Sequence, residues 1–141
     1  MRSYRILPHT ADVRLKVEGE SLPELFTAAL EGMSELIKPG SSKHKGDDLK
    51  DFTEKHEVTA SSPNVSLLLV DFLAQTLTLS HIHYAIFSRV QFLELGRDRL
   101  KARIYGRRES FEEDIKAVTY HEVEIKKNVR GFYETTLVFD I

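Results

Sequence analysis

Residues 86–107, IFSRVQFLELGRDRLKARIYGR, carry the pattern on which the fold turns. Ile86–Leu95 and Leu100–Arg107 run at period two, the spacing of strands with one buried face, and Gly96-Arg97-Asp98 between them is turn composition. The same period continues through Ala117–Lys127 and Phe132–Ile141, interrupted by the polar segment 108–114 and by 128–131. Consecutive strands linked in this way pair antiparallel. Upstream, Leu67–Leu79 is strongly apolar and predicts a helix, with Ser62-Pro63 offering a cap followed by proline at the first helical position. Phe52–Ala60 reads as a strand with Phe52, His56 and Val58 on one set of alternate positions, and the hydrophilic stretch 41–51, which contains His44, reads as a surface connection. A first helix is predicted from Ser21, where Glu24 three residues on completes a capping box and Pro23 sits harmlessly in the first turn. Leu22, Leu25, Phe26, Ala29, Leu30, Met33, Leu36 and Ile37 recur at helical spacing until Pro39-Gly40 stops it. Tyr4–Leu7 and Val13–Glu18 complete the set as strands, the second alternating Val13, Leu15 and Val17 with Arg14, Lys16 and Glu18. The expected fold is an α+β two-layer sandwich, two helices packed on one face of a mainly antiparallel sheet, in one domain spanning 1–141.

Composition narrows the function classes. A chain of 141 residues buries roughly 68% of its unfolded surface, enough for one core without staples. With 41% hydrophobic and 30% charged residues the balance is that of an ordinary soluble protein. Twenty Lys and Arg against 22 Asp and Glu exclude a globally basic nucleic-acid binder. No cysteine means no disulfide scaffold, thiolate metal site or cysteine nucleophile. The opening residues have no apolar run behind them that reads as a signal peptide, and Val65–Leu79, broken by Asp71, Gln75 and Thr76, is too short to span a bilayer. A cytoplasmic setting is expected.

Several residues fall where chemistry is conceivable. His9-Thr10-Ala11-Asp12 lies at a junction, where Asp12 or Thr10 making turn hydrogen bonds competes with a site. Asp140 follows the apolar run Leu137-Val138-Phe139 and stands beside the terminal carboxylate of Ile141; two adjacent negative groups call for a cation or a basic side chain. Calcium and magnesium favour such oxygen ligands. His56, His81, His83 and His121 fall in no HxxxH or HExxH arrangement; His81-x-His83 would put two imidazoles on one side of an extended segment, without a third ligand nearby. Phosphate-binding glycine loops and a GxSxG elbow are absent. Arg97, Arg99, Lys101 and Arg103 share one face of a strand, a stripe able to meet RNA or an acidic protein, or simply a solvated outer face.

Three segments resemble the archease family: Tyr4-Arg5-Ile6-Leu7-Pro8-His9-Thr10-Ala11-Asp12, then Asp114-Ile115-Lys116-Ala117-Val118-Thr119-Tyr120-His121, then Phe139-Asp140-Ile141. The order and spacing of the elements between them fit as well, so the resemblance spans nearly the whole chain. It implies a non-enzymatic helper of the RtcB-type tRNA-splicing RNA ligase, one that promotes guanylylation of the ligase histidine and sustains multiple turnover, with tRNA involved indirectly and no membrane. The family's metal-binding carboxylates match Asp12 and Asp140, with Ile141 giving a main-chain oxygen, and the implied cofactor is a divalent metal ion, calcium first, with magnesium or manganese as alternates. Asp12 and Asp140 would converge if the first and last strands lie side by side. Lys116 and His9 are the implied partner-activating residues, and no catalytic residue is implied. A chaperone or modulator of a tRNA methyltransferase, and a metal-dependent hydrolase, are the competing functions. Segments 41–51 and 128–131 are outside the matched motifs, and nothing carries onto them.

Overall fold

The computed structural model describes residues 1–7, 12–43 and 49–141. His9, Thr10 and His44, singled out above, lie outside the described residues. The chain runs β1 (Arg2–Leu7), β2 (Asp12–Gly19), α1 (Leu22–Ile37), a short 3-10 turn (Leu49–Asp51), β3 (Glu54–Ser61), α2 (Val65–His83), β4 (Ala85–Leu95), β5 (Arg99–Arg108), β6 (Ala117–Thr119), β7 (Lys126–Lys127) and β8 (Tyr133–Asp140). The α+β class with two helices and antiparallel strands is as expected. The strands divide, however, between two sheets: one ordered β1-β2-β8-β6, with β7 also paired to β8, and a second ordered β3-β5-β4. Every pairing is antiparallel.

Helix α1 begins as the capping-box spacing predicts. The Ser21 hydroxyl accepts the Glu24 N–H at 3.3 Å, and the Glu24 carboxylate accepts the Glu20 N–H at 2.9 Å. Its apolar stripe, with Leu25, Phe26, Ala29, Leu30 and Met33 buried, lies on β1, β2 and β4, so this one helix seals both sheets. The approach to β2 is close at Gly32, where a Cβ would stand 2.5 Å from Leu15 Cδ2 and force that side chain to shift.

Helix α2 differs from expectation at both ends. Its cap is Asn64, whose side-chain oxygen accepts the Leu67 N–H at 3.0 Å, so Pro63 precedes the cap instead of opening the helix. The C-terminal end runs past Leu79 to His83 and closes on Tyr84 in the left-handed region at φ 52°. At 19 residues it is long and apolar enough, by length and composition, to cross a membrane, which corrects the shorter estimate. Half of that window is buried inside the fold, with Leu68, Leu69, Val70, Phe72 and Leu73 fully enclosed.

The expected strand over 117–127 exists only as its two ends, β6 and β7. Between them backbone donors go to side-chain hydroxyls instead of a ladder. Thr119 Oγ1 accepts the His121 N–H, Thr135 Oγ1 accepts that of Glu124 at 3.0 Å, and Ser66 Oγ accepts that of Ile125 at 3.0 Å. Glu122 sits at φ 63°, which turns the chain out of the strand direction.

Candidate carboxylate site

The alternation that buries Leu15 and Val17 of β2 and Leu137 and Phe139 of β8 sends the even-numbered residues of both strands to the outer face of the larger sheet. Register does the rest. Asp12, the first residue of β2, stands directly opposite Asp140, the last residue of β8. It is therefore β2, and not the first strand β1, that lies beside the final strand. Residues directly opposite on one face have Cβ atoms about 4.5–5.5 Å apart, where like charges destabilise the pair. On its other side Asp140 pairs with Ala117 of β6, and the Lys116 N–H donates to the Asp140 carbonyl oxygen at 2.8 Å. The segments at 12, 114–121 and 139–141 thus meet at one end of one sheet.

The charge balance at this corner is negative. Asp12 is half-buried, with its Oδ1 shielded from solvent, while Asp140 is exposed and Ile141 follows it at 37% exposure. Arg14, two residues along β2 on the same face, directs its guanidinium to Glu122 at 2.5 Å. Among the described residues no basic side chain lies within ion-pair distance of the Asp140 carboxylate. The donor set here is all oxygen: two carboxylates and the main chain of Ile141. Such a set fits a hard divalent cation such as calcium, magnesium or manganese and is poorly suited to a soft one.

Lys116 itself is exposed between buried Ile115 and buried Val118. Its side chain borders a hollow of about 180 Å³ against Ala74, Leu77, Thr78 and His81 of α2. Asp71 pins the next turn to the same helix: its carboxylate accepts the Tyr120 phenol at 2.7 Å and also the Ser62 hydroxyl. The hydrogen bond to Asp71, together with burial and the Asp71 charge, raises the Tyr120 phenol above its ordinary range.

The other sequence candidates separate. On a helix, residues two apart diverge, so His81 and His83 do not form the paired imidazoles of an extended segment. His81 faces Asp114, 3.5 Å away, whereas His83 stacks on His56 with centroids 4.1 Å apart. Arg99, Lys101 and Arg103 do share the outer face of β5, but Arg97 lies in the preceding turn. The stripe is partly answered, by Asp98 at 3.8 Å from Arg99 and Glu57 at 3.7 Å from Lys101. Sequence reasoning missed that Glu54 joins His56 and His83. The alternation of β3 places 54 and 56 on one face, but only the four extra residues of α2 bring in His83.

The fold recurs in known proteins. Residues 4–141 match the model of the Archease protein family (MTH1598/TM1083). The protein archease of Methanosarcina mazei is 33% identical over 149 residues, covering 99% of this chain and 97% of the relative. That of Pyrococcus abyssi is 30% identical over 150 residues, covering both chains completely. The solution structure of Methanobacterium thermoautotrophicum protein 1598 has the same fold, with a TM-score of 0.71 at 22% identity over 98% of each chain. The crystal structure of a Thermotoga maritima archease, described as a possible chaperone, superposes with a TM-score of 0.62 at 22% identity over 97% of this chain and 96% of that one. With a family match from residue 4 to residue 141 and full-length relatives at 30% identity or more, the chain belongs to the archease family.

Proposed function

We propose that this chain is a non-enzymatic, cytoplasmic helper of an RtcB-type tRNA-splicing RNA ligase, and that Asp12, Asp140 and the main chain of Ile141 hold a divalent cation, calcium first, on which that help depends. The observation that carries the reading is the direct opposition of Asp12 and Asp140 across β2 and β8. Two carboxylates held face to face on a sheet are an unfavourable arrangement that a bound cation relieves. When bound, the cation supplies positive charge of the kind that assists phosphoryl-group transfer. The chain's own residues orient the site: β2 and β8 fix the two carboxylates, and the Lys116 N–H holds the Asp140 carbonyl. Lys116, exposed and adjacent, is the residue that meets the ligase.

A metal-dependent hydrolase would in addition need a general base near the cation; the family match, with one solved member described as a possible chaperone, favours the helper. The expected result follows from mixing this protein with RNA, GTP and divalent metal. Alone it will turn over neither RNA nor GTP; with the ligase it will raise ligation. Lys116→Ala will bind calcium as the unaltered protein does and lose most of the stimulation. Turnover by this chain alone would refute the helper reading, and full stimulation by Lys116→Ala would remove Lys116 from the contact.

A further inference from the structure

We propose that Glu54, His56 and His83 form a metal site for a borderline-soft divalent cation, zinc above all, separate in place and chemistry from the carboxylate corner. One ligand atom from each of the three residues lies within 4.8 Å of the others. This is the one such group of acidic and imidazole side chains among the described residues. The site is assembled from two rigid elements. On β3 the two-residue repeat sets Glu54 and His56 on the face that also carries buried Val58. From α2, His83 is the last helical residue, held by the left-handed turn at Tyr84.

Packing holds the three side chains close together, and a small rotation of one stacked imidazole turns both rings toward a shared cation. His56 meets Phe87 in a T-shaped contact at 5.5 Å and stacks with His83, centroids 4.1 Å apart and planes inclined by 26°. Glu54 Oε1 lies 3.5 Å from His56 Nε2. The His56 and Glu54 side chains are only 25% and 15% exposed, so their orientations are set by packing while an approach from solvent remains. Neutral imidazole is the ligating form. Two imidazole nitrogens and one carboxylate oxygen, with water in the fourth position, are the donors of a three-ligand zinc site. Calcium and magnesium prefer oxygen donors and are disfavoured here. The other Glu54 oxygen has Arg108 Nε at 3.6 Å; that side chain is 71% exposed and competes with a cation for the carboxylate.

The test uses the untagged full chain at neutral pH. Cobalt(II), an optical stand-in for zinc, will give ligand-field absorption that one equivalent of zinc abolishes, and calorimetry will give one zinc per chain. The variant His56→Gln/His83→Gln will bind zinc about a hundredfold more weakly or worse. Arg108→Ala, by removing the competing charge, will bind several-fold more tightly, and Asp12→Asn/Asp140→Asn will leave zinc binding unchanged. Nitrogen NMR of the unaltered protein keeps the idea testable if the double histidine variant misfolds: zinc will move the His56 and His83 ring nitrogens and leave those of His121 in place. No stoichiometric uptake by the folded protein, unchanged affinity in the folded double histidine variant, or shifts confined to other histidines would overturn the site.

Discussion

Replacing Asp12 and Asp140 together by Asn will abolish calcium binding while leaving the fold intact. The change removes both formal charges at nearly constant shape, from positions that oppose each other across β2 and β8. Without metal the double variant is free of the like-charge repulsion across the two strands. A ligand that binds only the native state at a hundred times its Kd adds about 2.7 kcal/mol. For a chain of this size that is a rise in Tm of roughly 5–11 °C. The unaltered protein will show this rise in a thermal melt with excess calcium, and the double variant will not. Equal calcium-induced shifts in both proteins would place the ion elsewhere.

The second large effect is in the core. Phe26→Ala will cost about 3–5 kcal/mol, a substantial share of the 5–15 kcal/mol typical of a whole domain. Phe26 is fully buried and ties three elements: it stacks on Phe72 of α2 at 6.0 Å and meets Phe92 of β4 edge-on at 6.2 Å, and Phe72 and Phe92 close the triangle at 5.9 Å. Removing the ring leaves a cavity bounded by two helices and the smaller sheet, none of which can collapse without moving the others. Equilibrium urea unfolding will show the loss as a lower midpoint with an unchanged slope. A loss below about 1 kcal/mol would mean that the triangle is not the joint between the layers.

Much of this was legible in the residues, for identifiable reasons. The Ser21–Glu24 spacing and the stripe from Leu25 to Ile37 produced α1 within its observed limits, because cap and stripe are both local signals. The strand run after His83 was equally plain in β4, β5 and β8. The division into two sheets was not, since period two says that a strand has a buried face and nothing about which neighbour it joins. The break after Thr119 was hidden for a related reason. Two of its backbone donors are taken by Ser66 and Thr135, distant in sequence and unremarkable in composition. At the candidate site, the motifs identified Asp12, Lys116 and Asp140, but their meeting depends on the register of β2, β6 and β8. The Glu54–His56–His83 group stayed invisible because α2 continues past its last strongly apolar turn, through Ser80 and His81 to His83.

In the proposed function the carboxylate corner is what this chain contributes to the ligase. Label transfer from radiolabelled GTP measures it most directly, with the ligase in excess over this protein and divalent metal present. The ligase will be labelled faster when the unaltered chain is added, the 16.2 kDa chain itself will never carry label, and Asp12→Asn/Asp140→Asn will leave the ligase near its unassisted rate. Label on the 16.2 kDa chain, or full acceleration by the double variant, would contradict the proposed function.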